Sequence, residues 1–140
     1  MNLSFVKSNI GCNVLVFNKK NQLLLGMRKN CKEAGSFGLP GGHVHNNESL
    51  INAARREIKE ECGIISKNLK FLSILDDELK SEKYMQINFV LYNYAGKIKL
   101  CEPNICKEWK WFSLNKIPKN LFSQHRSIIK MFLNKQLYYY

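Results

Sequence analysis

The 140-residue chain has no apolar run of the roughly eighteen residues that a membrane-spanning helix needs, so nothing in it is expected to cross a bilayer. Its opening segment, MNLSFVKSNIG, lacks the long apolar core of a secretion signal. The five cysteines (Cys12, Cys31, Cys62, Cys101, Cys106) are odd in number and show no CxxC or framework spacing. Reduced thiols in a cytoplasmic protein are therefore expected. Acidic residues are few: 11 against 22 lysines and arginines, a formal net charge of +11. No block of five or six like charges and no aromatic-interleaved basic stripe accompanies that excess, so it does not specify nucleic acid. The field it creates would draw polyphosphates instead, which makes a small nucleotide the favoured partner. Neither an internal repeat nor a long linker occurs. Residues 1–140 are expected to form one domain with a substantial core.

What the chain does have is concentrated between Gly42 and Ile64, GHVHNNESLINAARREIKEECGI. As a pattern this is G-x5-E-x7-R-E-I-x-E-E-x-G-I, fixing Gly42, Glu48, Arg56, Glu57, Glu60, Glu61 and Gly63. Seven chance identities at about one in twenty each have odds on the order of one in a billion per start position. Residues 47–62 read as a helix: Asn46 or Asn47 can cap the start, Ala53 and Ala54 favour helix, and Gly63 stands where a left-handed residue commonly ends one. At about 100° per residue, Leu50, Ile51, Ala54, Ile58 and Cys62 form an apolar stripe. With Glu57 at zero, Glu61 falls near 40° and Glu60 near −60°, so three carboxylates share one arc, while Arg55 and Lys59 take the outer face. Carboxylates packed this closely repel unless cations neutralise them. Oxygen donors favour hard ions, Mg²⁺ first and Mn²⁺ second. The alternative is a solvated helix with incidental Glu–Arg pairs. Arg56 can pair with Glu60 one turn on, or pose the neighbouring carboxylate.

This pattern resembles the box of the Nudix hydrolase superfamily. The lead-in GSFGLPGGHV and the later segment CKEWKWF with Ile117-Pro118 and Leu121-Phe122 resemble its MutT-like branch, so the likeness runs from about Cys12 to Phe122. The resemblance implies an α/β fold, an α/β/α sandwich around a mixed sheet. It implies that Glu57 and Glu61 bind metal with the carbonyl of Gly41, that Glu60 is a further ligand or the base, and that Arg56 orients Glu57. Glu48, Gly42 and Gly63 become structural members of the motif. The implied activity is Mg²⁺-dependent hydrolysis of a nucleoside diphosphate linked to X, with X most simply phosphate, giving a nucleoside monophosphate and pyrophosphate. Two rivals stand beside it: a nucleotide-sugar or ADP-ribose hydrolase, and a binding module without turnover on an RNA 5′ end. Homodimers are common in the family, by analogy only. One departure stands out: His45 occupies a position where relatives with this lead-in often carry glutamate.

Outside the box, 11–18 and 22–28 read as strands around the turn Lys19-Lys20-Asn21, and 69–75, 85–94, 97–100 and 109–112 as further strands. Residues 121–137 carry helical apolar spacing. Cys12 and Cys62 fall in apolar patterns and read as core. Asp76-Asp77-Glu78 reads as an acidic connection, either a solvated turn or a late carboxylate for the metal. His43 and His45 share a strand side opposite Val44 and are candidate substrate-lining groups. Phe37, Leu39 and Trp109 are candidate substrate contacts. Trp109 and Trp111 share a face that either stacks on a base or fills the core.

Overall fold

The computed structural model describes residues 9–77 and 84–139. The order of elements is β1 (Ile10–Val16), β2 (Leu23–Arg28), β3 (Phe37–Gly38), β4 (Gly41–His43), α1 (Leu50–Cys62), β5 (Ile65–Ser66), β6 (Leu69–Asp77) and β7 (Tyr84–Leu91). There follow β8 (Tyr94–Ala95), β9 (Cys106–Phe112), a 3-10 turn (Leu114–Lys116), α2 (Ser123–Leu133) and β10 (Tyr138–Tyr139). A mixed five-stranded sheet runs β10-β6-β7-β1-β4, with β1 parallel to β7 and antiparallel to β4. A second, antiparallel sheet runs β3-β2-β9.

Period-two alternation along β1 assigns its side chains to two cores. Cys12, Val14 and Val16 join Ala53, Ala54, Ile58 and Cys62 of α1 on one side. Leu15 and Phe17 join Ile128, Ile129 and Met131 of α2 on the other. Each helix thus covers one face of the sheet, which is the α/β/α sandwich expected from the sequence. Burying residues such as Ile58 contributes roughly 2 kcal/mol apiece.

Several boundaries differ from expectation for identifiable reasons. The box helix starts at Leu50, not Asn47, and Ser49 is its cap, accepting from the Asn52 N–H at 3.2 Å. Glu48 cannot join the helix, because its carboxylate turns back to the His45 N–H at 2.9 Å and holds the preceding loop. Leu50 is 39% exposed, and Ala53 takes its expected place in the buried stripe. Gly63 ends the helix in the left-handed region at φ 69°. Residues 97–100 form no strand; the backbone there is spent on the end of α1, with the Lys99 N–H donating to Cys62 O at 2.8 Å. β8 instead pairs with β5. Asp76 and Asp77 lie within β6, buried and in register with Met85 and Tyr84, so they are not a solvated turn. Glu78 lies outside the described residues. The strands on either side of Lys19–Asn21 meet at a Phe17–Leu23 bridge and the Asn18–Gln22 bonds beside it, then part into different sheets.

Candidate active site

β4 and α1 build the site together. Gly41 and Gly42 run antiparallel to Asn13 and Cys12 of β1, directly against α1. Gly41 is hemmed in by backbone, whereas a side chain at Gly42 would have to displace the end of Glu57. A side-chain carbon at Gly41 would sit 2.9 Å from Asn13 Cα, and one at Gly42 would sit 2.6 Å from Glu57 Cδ. The space a Gly42 side chain would fill is occupied by the Glu57 carboxylate.

On one flank of α1 the charges are paired. The Arg56 guanidinium donates from Nε and Nη2 to the two oxygens of Glu48 at 3.0 and 2.7 Å, from Nη1 to Glu57 at 2.9 Å and Glu60 at 3.2 Å, and from Nη2 to the His43 carbonyl at 3.0 Å. The fork geometry uses nearly all of its donors. Hydrogen bonding from Arg56 lowers Glu48 to about 2, and the same contact pushes Arg56 further up. Glu48 thus ties the loop before α1 to Arg56. Arg56 makes both bonds that the sequence offered as alternatives, to Glu57 and to Glu60.

On the other flank Glu61 lies half-buried beside Glu57, and its protein donor is the Gly41 N–H at 3.3 Å. Burial, then the Glu57 charge, pushes Glu61 up to about 9. Glu57 keeps Arg56 as its partner, but Glu61 has little compensation, and two adjacent carboxylates so placed offer the oxygen donors that suit a hard divalent cation. Among the described residues, no three His, Cys, Asp or Glu side chains converge on one point. Glu60 does not stand with the pair: its side chain is 51% exposed and tied to Arg56.

Glu61, Gly41, Gly42 and His43 open into a cavity of about 310 Å³. Leu39 and Trp109 line it too, as the sequence suggested, and the Trp109 indole N–H donates to Glu61 O at 3.3 Å. Phe37 does not. It is buried in the α2-side core with its ring edge-on to Phe112 at 5.0 Å, so it cannot stack on a ligand. Trp111 packs against the α1-side core and is absent from the lining. His43 receives a partner that sequence could not supply, the Tyr84 hydroxyl at 3.2 Å from Nδ1. His45 points outward, 65% exposed and 3.8 Å from Glu48.

Sequence reasoning missed two groups. Glu102 lines the cavity from the loop before β9, and burial followed by the charges of Glu57 and Glu60 raises its carboxyl. Glu102 carried no spacing signal, since a lone glutamate in a loop is ordinary. The second group is a set of buried amides, Asn13, Gln86 and Asn88, with Gln124 beside them. Their signal was visible: each amide interrupts an otherwise apolar strand, GCNVLVF or MQINFVL. Cys12 and Cys62 are core as expected, and burial pushes the Cys12 thiol up to about 11.

Comparison with known proteins agrees with this geometry. The model of the NUDIX domain family matches residues 7–132. An ADP-ribose pyrophosphatase of Methanocaldococcus jannaschii is 36% identical over 84% of this chain and 69% of its own length. An oxidized purine nucleoside triphosphate hydrolase of Danio rerio is 35% identical over 74% of this chain and 64% of its own. Among solved structures, a MutT Nudix hydrolase from Burkholderia pseudomallei superposes with a TM-score of 0.79 at 30% identity, covering 86% of this chain and 95% of that one.

Proposed function

Because the chain belongs to the Nudix family, a family of anhydride hydrolases that generally use divalent metals, we propose that it is a Mg²⁺-dependent nucleoside triphosphate pyrophosphohydrolase. The observation that carries this is the half-buried Glu57–Glu61 pair against Gly41 and Gly42, with Glu61 raised by burial and by its neighbour's charge and lining a nucleotide-sized cavity. Glu57 and Glu61, with the carbonyl of Gly41, would hold the ion, and Mn²⁺ suits the same donors. When bound, the cation supplies charge neutralisation of the phosphoanhydride and a lowered pKa for the attacking water.

The chain's own residues do the rest. Arg56 fixes the Glu57 carboxylate through Nη1, and Glu48 holds Arg56 in turn. A water attacks phosphorus, the anhydride bond breaks, and a nucleoside monophosphate and pyrophosphate leave. Glu60 and Glu102 are the carboxylates available to take the water's proton. Glu102 is favoured because it lines the cavity and Glu60 does not. His43, backed by Tyr84, and Trp109 line the substrate's path. All five cysteines are free, which supports a reducing compartment such as the cytoplasm. Residues 1–140 act as one unit in this reading.

The second reading, ADP-ribose hydrolysis, is favoured by the archaeal relative. A panel of triphosphates, ADP-ribose and nucleotide sugars with Mg²⁺ separates the two. The expected products are monophosphate and pyrophosphate from triphosphates. AMP and ribose 5-phosphate from ADP-ribose alone would move the assignment to the second reading, and no turnover of any substrate would sink both.

A further inference from the structure

The positive charge is scattered along the chain but not over the fold. Residues 1–32, 62–75, 84–101 and 109–140 contain no aspartate or glutamate. These segments supply β1, the turn after it, β7, most of β6 and the whole of α2. The cavity takes Tyr84 and Gln86 from the start of β7, and Gly26, Met27 and Arg28 from the end of β2. The opposite ends of those two strands, with the end of β1 and the start of β6, therefore make a second surface, basic throughout and turned away from the cavity.

That surface is also apolar. Tyr92, just past β7, is exposed and stacks on Phe17 at 5.3 Å, and Phe17 in turn meets Phe132 of α2 at 5.2 Å. Here α2 overruns the sheet. Leu133 lies four residues after Ile129 on the same stripe, yet Leu133 is 50% exposed and Ile129 only 3%. Leu137 is more exposed still, although its carbonyl is held by the Ile74 N–H at 2.8 Å. Exposed lysines accompany these groups. Lys19 and Lys20 stand on a turn organised by Asn18 Oδ1, which accepts from the Lys20 and Gln22 N–H groups at 3.0 Å each. Lys70 is opposite Val90 of the α2-side core, so it points to the same side of the sheet. Lys130 and Lys135 flank the last turn of α2.

Charge and composition together select an occupant. A second copy of this chain would set like charges against each other. A nucleic acid strand would use the lysines and Tyr92 but would leave Leu133 and Leu137 in water. Exposed aliphatic side chains rimmed by lysines suit the boundary between acyl chains and anionic headgroups, where the leucines enter and the ammonium groups meet phosphate. We infer that Tyr92, Leu133 and Leu137, ringed by Lys19, Lys20 and Lys70, form a docking surface for an anionic lipid bilayer. Docking of this kind leaves the cavity open to solvent and does not depend on what the cavity hydrolyses.

Flotation of the intact chain with vesicles tests it. Vesicles of phosphatidylcholine mixed with phosphatidylglycerol should carry at least about tenfold more protein than phosphatidylcholine alone. The double variant Lys19→Glu, Lys20→Glu should lose at least about tenfold of that binding. The double variant Leu133→Ser, Leu137→Ser should lose several-fold, and what remains should vanish near 0.5 M salt, roughly, because only screened charge is left. Circular dichroism checks that both variants keep the fold. Equal binding to the two kinds of vesicle overturns the inference, as does no binding to either. Binding that the lysine variant loses and the leucine variant keeps in full is charge attraction without docking, and overturns it as well. A labelled single-stranded RNA bound by the native chain and lost in the lysine variant, with vesicles ignored, would give the surface to nucleic acid instead.

Discussion

The two flanks of α1 carry the same residue type in opposite circumstances. Glu48 sits against Arg56, with two guanidinium nitrogens and a backbone N–H on its oxygens, and is held at about 2. Glu61, on the other flank, has one backbone N–H and a neighbouring carboxylate, and is pushed up to about 9. The first arrangement is complete within the protein and holds the loop to the helix. The second leaves a carboxylate with little compensating charge inside the protein. A carboxylate's role in this site is legible from what compensates its charge.

The largest effect should come from neutralising the adjacent carboxylates where the two flanks meet, Glu57 on the paired side and Glu61 on the other. Glu57→Gln and Glu61→Gln should each lower kcat by roughly 10²–10⁴-fold while leaving the circular dichroism spectrum unchanged. Full activity in both purified variants would remove the assignment. Glu61→Gln should also raise the melting temperature of the metal-free protein, since it removes a half-buried carboxyl repelled by Glu57.

Breaking the complete flank should cost stability first. Arg56→Ala strands Glu48, Glu57 and the His43 carbonyl together, and urea denaturation should show a loss of about 2–3 kcal/mol. Arg56→Lys should recover little, because an ammonium cannot fork across Glu48.

The flanks should also respond to pH with opposite sign. Glu61 has a folded pKa above its unfolded value of 4.5. Its contribution is present below 4.5 and is lost as pH rises towards about 9. The melting temperature of EDTA-treated protein should fall across that window, and Mg²⁺ should restore more at the alkaline end. Glu48 has a folded pKa depressed below 4.5, so its contribution is present above 4.5 and disappears as pH falls towards about 2. A metal-free melting temperature flat from pH 5 to 9 would break the comparison.

The smallest effect separates the two candidate bases. Glu102→Gln should reduce kcat by roughly tenfold or more, with a changed pH–rate profile, whereas Glu60→Gln should change it only a few-fold. The reverse ranking would return the proton to the exposed glutamate.

The box was readable because its chemistry and its geometry share one period. Residues at 57, 58 and 61 must repeat at helical spacing to put a carboxylate pair beside a buried stripe, and that repetition is written in the chain. Non-local pairing was harder to read. The cap fell to Ser49 because Glu48 is pulled back to His45 and Arg56, a contact spanning eight residues. Asp76 and Asp77 read as a turn by composition, yet β6 continues through them because Met85 and Tyr84 pair across. Phe37 looked like a loop aromatic, but Leu121 and Phe112 close over it from the far end of the chain. Glu102 and Gln124 were invisible for the same reason: each matters through neighbours more than thirty residues away.

Gly42 has a consequence for how this site can change over generations. The Glu57 carboxylate occupies the volume a side chain at Gly42 would need, so the two positions behave as socket and key. A methyl group added at Gly42 evicts the carboxylate, and a carboxylate shortened by one methylene leaves a gap there. Gly42→Ala and Glu57→Asp, each damaging alone, are thus the pair in which one lesion has a chance of suppressing the other. Any lineage that alters one should be found to have altered both, or to have given up the carboxylate pair.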